Sequence, residues 1–134
     1  MASLNDTEVK ALLEAPNYGV ISTINRDGSI LSTVVWFGFE DGVLAVNSSE
    51  GRQWPANLDR DGTVTLLVHP ADDPYEFVAI RGKASRAEDG DDDAQIDRLA
   101  KRYINQDTYP FRQPGEVRIK YVIAPDKVRY VKQG

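Results

Sequence analysis

The sequence predicts a mainly β (α+β) protein, an antiparallel barrel decorated by peripheral helices, and three observations carry that prediction. Short runs rich in Val, Ile, Thr and Phe recur along the chain and are separated by Asp-Gly, Glu-Asp-Gly and Pro-Asp turn signals. Helical signals are confined to one short and two longer segments. The 134 residues, 41% hydrophobic and 28% charged, suffice for one core and are too few for two, so residues 1–134 are read as one domain.

Each element follows in order. Asp6-Thr7-Glu8-Val9 opens a capped amphipathic helix that continues through Lys10 to Ala15, with Val9, Leu12 and Leu13 as its apolar positions, and ends before Pro16. Tyr18 to Ile24 reads as a strand. Asn25-Arg26-Asp27-Gly28 is a hairpin turn in which Gly28 takes positive φ, and Ile30 to Phe37 is the returning strand. After the turn at Glu40-Asp41-Gly42 come a third strand, Val43 to Val46, then a short helix and, past Asp61-Gly62, a fourth strand, Thr63 to Val68. Phe77 to Ser85 reads as a fifth strand, with Gly82 marking a bulge or a close backbone approach.

The acidic run Glu88 to Asp93 is read as a helix start rather than a metal site, because carboxylates favour the positive end of the helix dipole. In the following Ala94 to Ile104, Ile96, Leu99, Ala100 and Tyr103 recur at helical spacing. Val117 to Ile123 and Val128 to Val131, turned at Pro125-Asp126, complete the sheet.

Composition excludes several functions. A net charge of -5 and a pI near 4.8 argue against nucleic-acid binding, which favours a strongly basic face. No stretch approaches the roughly 18 to 20 apolar residues of a membrane span, and no signal peptide opens the chain, so no membrane partner is expected. With no cysteine there is no disulfide, thiolate nucleophile or cysteine zinc site, which suits a cytoplasmic protein. The lone histidine, His69, stands at a strand end before Pro70 and reads as structural or exposed. No His/Asp/Glu grouping has metal-ligand spacing, and no serine lies in a nucleophile elbow. If the chain is an enzyme, a bound organic cofactor carries its chemistry.

The segment Asn47-Ser48-Ser49-Glu50-Gly51-Arg52-Gln53-Trp54-Pro55-Ala56-Asn57-Leu58 is the most informative. It reads as a strand end, a Ser/Gly loop with one arginine, and a helix started by Pro55. Proline suits the first helical position, so the free N–H groups of the first turn face the loop. Those donors, two hydroxyls and a guanidinium converge as an anion cradle.

The ordered set of the Ser32-Thr33-Val34-Val35-Trp36-Phe37 strand, the Val43-Leu44-Ala45-Val46-Asn47 strand, this loop and Asn57-Leu58-Asp59-Arg60-Asp61-Gly62-Thr63-Val64 resembles the pyridoxamine-phosphate-oxidase-like split barrels. More narrowly, the chain resembles the flavin/deazaflavin oxidoreductases of actinobacteria that use coenzyme F-420, and Tyr75 to Gly82, Tyr103 to Pro110 and Val117 to Val128 are similar to that branch. The resemblance implies a six- to seven-stranded antiparallel split barrel and a homodimer with two cofactor sites at the subunit interface. It implies that Ser32, Thr33, Val34, Val35 and Trp36 lie along the tricyclic ring. Asn47, Ser48, Ser49, Arg52 and Asn57, with Gln53 and Trp54 beside them, would hold the ribityl and phosphate portion. Tyr75, Phe77 and Tyr109 would come from the partner chain. Trp36, Phe37 and Tyr75 suit core or dimer packing equally well.

Relatives that bind flavin mononucleotide (FMN) carry an Arg-Lys pair before this helix, where this chain has Gln53-Trp54 with Arg52 as the neighbouring cation. FMN presents a phosphate monoester of about -1.5 to -2 charge and would lose charge-assisted bonds here, whereas the F-420 phosphate is a singly charged diester. The expectation is therefore hydride transfer from reduced F-420 to an electron-poor double bond of a small-molecule substrate, with protonation by Tyr109, Tyr75 or water. Trp54 is a candidate to stack on the cofactor, and Arg26, Arg60 or Lys83 to hold its acidic tail. The alternatives are an FMN enzyme, an F-420-binding or storage protein without turnover, and an interaction protein with an empty site.

Overall fold

Every apolar run identified above pairs into one sheet in the computed structural model, which describes residues 2–133. In chain order the elements are α1 (Thr7–Glu14), β1 (Gly19–Ile24), β2 (Ile30–Val35), β3 (Phe37–Glu40), β4 (Val43–Ser49), α2 (Gln53–Arg60), β5 (Thr63–Val68), β6 (Glu76–Arg86), α3 (Asp92–Ile104) and β7 (Arg118–Lys132). The spatial order is β2-β1-β5-β6-β7-β4-β3, antiparallel throughout.

β2 and β3 occupy opposite edges of the sheet, yet only Trp36 separates them in sequence. The sheet must therefore curl until its edges meet at Trp36, where the covalent chain rather than a hydrogen-bonded ladder joins them. That is the geometry of the split barrel that the resemblance implies. It also corrects one element: Ile30 to Phe37 is not one strand but two, because the chain leaves one edge and enters the other within a residue.

A second correction compensates the count. The expected hairpin at Pro125-Asp126 is absent, and β7 runs unbroken for 15 residues against β6. Gly82 pairs with Pro125 and Arg81 with Lys127, so Asp126 is an extra residue accommodated by a register shift. Proline has no N–H to offer a ladder, and a bulge is where a strand tolerates it. Gly82 is required there: a Cβ at this position would collide with the Ala124 carbonyl oxygen.

The alternation of side chains fills the barrel. Ile21 of β1, Leu66 of β5, Ile80 of β6 and Tyr121 of β7 are fully buried, and Val9 and Leu13 of α1 with Trp54 and Leu58 of α2 pack against them. α1 is not capped as expected. The Asp6 carboxylate accepts the Ser3 N–H at 3.0 Å and makes no bond to the helix. At the other end of α1, Arg102 of α3 donates to the carbonyls of Leu13, Glu14 and Ala15 at 2.7–3.0 Å, satisfying acceptors that a helix end leaves free.

The outer face of the sheet carries an apolar row beside a polar one of Ser32, Ser22, Thr65 and Arg81. Registered neighbours Val34, Val20, Leu67 and Ala79 cross β2, β1, β5 and β6 on one row. Ile30 and Val34 are 71% and 67% exposed, and Tyr18 and Tyr75 add exposed aromatic surface.

Candidate functional site

Where the two sheet edges meet, a cleft of about 210 Å³ opens. Thr33, Val34, Val35 and Trp36 form one wall, Asn47 and Ser48 of β4 the floor, and Arg52 and Trp54 of the α2 entrance one end. Ile96, Tyr109, Phe111 and Arg118 form the remaining side.

The local sequence explains the floor. β4 is longer than expected and carries Asn47, Ser48 and Ser49 within the strand, paired with Lys120, Ile119 and Arg118 of β7. Gly51 then turns the chain at φ +94°, a conformation that glycine adopts without penalty. α2 begins at Gln53 rather than Pro55, which puts the proline at the third helical position. Its missing N–H is still one of the unpaired first-turn set, and the first bond of the helix is Ala56 N–H to the Arg52 carbonyl at 3.3 Å.

A buried polar network fixes the floor. Asn47 Nδ2 donates to Gln95 Oε1 and to the Asp92 carbonyl, both at 2.9 Å, and Asn47 Oδ1 accepts Arg118 Nε at 3.0 Å. Arg118 Nη1 also donates to Glu116 Oε1 at 2.7 Å, and the guanidinium lies 4.9 Å from the centre of the Tyr109 ring. Burial pushes the Glu116 carboxyl up, but the Gln113 N–H and the charges of Arg118 and Arg52 outweigh it and hold the group below its ordinary range. The aromatic wall is equally constrained. Trp36 stacks on Tyr103 at 5.4 Å and meets Tyr109 edge-on at 6.0 Å. The Tyr103 hydroxyl donates to the Asn17 carbonyl at 2.7 Å and accepts the Phe37 N–H at 3.3 Å.

The structure brings Thr33, Val34, Val35, Trp36, Asn47, Ser48, Arg52 and Trp54 to the cleft. Four of the sequence candidates lie elsewhere on this side of the molecule. Ser32 bonds Ser22 at 2.9 Å on the outer face, and Ser49 is buried at the end of β4. Gln53 borders a separate surface hollow with Asn25 and Arg26, and Gln53 Nε2 donates to Asn57 Oδ1 at 3.0 Å. Asn57 is fully buried and donates to Thr23 Oγ1 and Asn25 Oδ1 at 3.0 and 2.8 Å, so its amide is engaged in holding α2 to β1. Tyr75 and Phe77 do not line this chain's cleft and stand at the start of β6.

Tyr109 reaches the cleft from the same chain, contrary to the expectation that it comes from a partner. Trp54 tilts against Tyr121 at 6.1 Å and belongs largely to the core. Of the three candidate tail cations, Arg60 is bonded to Asn57 and the Ile24 carbonyl, and Lys83 to Thr63 and Asp61.

Arg118 is the residue the sequence reading missed. Its signal was available: Arg118 and Lys120 alternate with Ile119, Tyr121 and Ile123, so both cations point off the core face toward α3 and its acidic approach. Lys120 meets Asp91 and Asp89 at 2.9 and 3.2 Å, while Arg118 turns into the cleft.

The donor set fits an anionic, ring-bearing ligand. Ser48 lines the cleft, and its Oγ is buried without a hydrogen-bond partner, an expense that a bound acceptor or donor would remove. Arg118 is 7% exposed, Arg52 makes no ion pair among the described residues, and no carboxylate lines the cleft. The flat Trp36 wall stands opposite.

The comparisons with known proteins agree with this geometry. The family model described as pyridoxamine 5'-phosphate oxidase matches residues 6–132. Among solved structures, an F-420 reductase superposes with a TM-score of 0.76 at 27% identity, over 90% of this chain and 94% of that one. A conserved hypothetical protein from Mycobacterium tuberculosis does so with a TM-score of 0.76 at 21% identity, over 97% and 86%. A heme binding protein from Mycobacterium smegmatis shares the fold with a TM-score of 0.71 at 22% identity, over 92% of this chain and 52% of that one. No curated protein sequence matches. With nearly its whole length matched by one family model and the split barrel in place, the chain belongs to the pyridoxamine 5'-phosphate oxidase family.

Proposed function

We propose that the protein is an F-420-dependent oxidoreductase working as a homodimer, with the cleft forming half of each cofactor site. The observation that carries this reading is one cleft lined by Ser48, whose hydroxyl is unpartnered, by the cations Arg52 and Arg118, and by Trp36. Similarity to an F-420 reductase over most of both chains supports the choice of cofactor.

Two features support the homodimer. A cleft of about 210 Å³ is smaller than the roughly 300–1,000 Å³ of sites that enclose a ligand of this size, so further walls have to come from another molecule. On the outer face Ile30, Val34 and Tyr75 are large exposed apolar side chains of the kind an interface covers. Pairing through that face lets the partner's Tyr75 and Phe77 approach the cleft.

In this arrangement Ser48, Arg52 and Arg118 bind the phosphate, and Asn47 orients Arg118. The β2 backbone from Thr33 to Val35 and the Trp36 ring position the tricyclic ring and exclude water from it. Tyr109, which lines the cleft beside Trp36, is a candidate proton donor to the product. The chemistry that the bound cofactor supplies is hydride donation from C5 of the reduced deazaflavin to an electron-poor double bond of a small organic substrate. The absence of cysteine suits work in the cytoplasm.

Reduced F-420 mixed with the protein and a panel of enones and quinones tests this reading. The expected result is protein-dependent recovery of the oxidised cofactor's absorbance with at least one acceptor. Tight binding with no turnover across the panel would replace catalysis by sequestration or storage.

A further inference from the structure

The cleft contains two guanidinium groups and no carboxylate, but one carboxylate stands directly behind them. Glu116 is largely buried, its side chain 11% exposed, and pairs with Arg118, whose side chain is 4% exposed. Its other oxygen accepts the Gln113 N–H at 3.1 Å, which locks the carboxylate in place. Arg118 spends Nε on Asn47 and Nη1 on Glu116, and keeps Nη2 without a protein partner among the described residues. Arg52 acts on Glu116 through its charge without forming an ion pair with it. Two guanidinium charges less one carboxylate charge leave the cradle with a single net positive charge.

That balance has a chemical meaning. A phosphodiester carries one negative charge, and a phosphate monoester about 1.5 to 2 at neutral pH. A surplus anionic charge next to a buried carboxylate is repelled more strongly than in water, since the local dielectric is low. We propose that Glu116 is a charge selector: by neutralising Arg118 it matches the site to a monoanionic phosphodiester and turns away the dianionic monoester of FMN. The selector rests on the cofactor reading above and adds the reason for its preference. Glu116 acts through Arg118 and need not touch the ligand.

Fluorescence titrations with F-420, FMN and the monomethyl ester of FMN separate the selector from the reading it rests on. The two FMN forms share a ring and differ by one charge. For the native protein the monomethyl ester is expected to bind about tenfold tighter than FMN. In Glu116→Gln, where the amide oxygen still accepts from Arg118 and only the bond from the Gln113 N–H is given up, FMN should gain about tenfold relative to F-420. Native protein that binds FMN as well as its monomethyl ester overturns the selector, even if the variant does not fold. An unchanged FMN to F-420 ratio in a folded variant overturns it too, while F-420 binding to the native protein leaves the cofactor reading intact. Failure of all three ligands to bind the native protein overturns the cofactor reading, and the selector falls with it.

Discussion

Arg118 Nε lies 3.0 Å from Asn47 Oδ1, a buried bond that ties β7 to β4 across 71 residues of sequence. Because Asn47 also donates to Gln95 and to the Asp92 carbonyl, one amide positions the cleft's buried cation and anchors α3 at the same time. Asn47→Leu removes both functions and leaves the buried Arg118 Nε and Gln95 Oε1 without their partner, while Arg118 keeps its pair with Glu116. It should destabilise the fold by about 2–3 kcal/mol in urea unfolding and weaken cofactor binding in the fraction that folds. A loss below about 0.5 kcal/mol would mean the network is relieved by water.

The outer face predicts an association that charge should break. Val34→Glu places a carboxylate at a position 67% exposed in the single chain, so the fold should persist. Sedimentation is expected to show native dimer and variant monomer, with cofactor affinity falling in step. A variant that stays dimeric would move the interface off this face.

The Gly82 crossing gives a sharper test of the β6–β7 bend. Gly82→Ala drives a Cβ into the Ala124 carbonyl at the register shift and should cost about 2–3 kcal/mol. Thermal unfolding that matches the native curve would show the bulge to be pliable.

Acid should unpick the approach to α3. The Arg98 guanidinium, bonded to Asp91 at 2.6 and 2.9 Å, outweighs burial and, with Lys120, holds the Asp91 carboxyl well below its ordinary range. A carboxyl depressed in the folded state stabilises the fold above its unfolded pKa, about 3.9, and that contribution fades as pH falls below it. The stability gap between native protein and Asp91→Asn is therefore expected to be constant above about pH 5 and to shrink toward pH 2. A gap independent of pH would show that the carboxylate charge is not what Asp91 contributes.

Much of this architecture was legible in the sequence because it is written in local patterns. The turn at Gly28, the bulge at Gly82 and the helix after the acidic run each follow from one residue's backbone freedom or one charge rule. The break at Trp36 was not legible, since nothing local distinguishes a strand that changes sheet edge from one that continues; only closure of the barrel requires it. The same limit hid the unbroken β7. Pro125-Asp126 has the chemistry of a turn, and long-range pairing with β6 overrides it. At the site, Ser48 and Arg52 were visible because they are contiguous with the α2 entrance, whereas Arg118 arrives from a strand 66 positions after Arg52. Asn57 was read as part of the cradle, and the structure places it on the buried face of α2 instead, where Thr23, Asn25, Gln53 and Arg60 use its whole hydrogen-bonding capacity.

The most direct measurement is a fluorescence titration of native protein and Arg52→Ala with F-420, with FMN as the competitor. The account predicts saturable binding of F-420 at micromolar concentration or tighter, preferred over FMN, and weakened by about 1.5–3 kcal/mol in the variant. Preference for FMN, or no saturable binding of F-420 by the native protein, would contradict it.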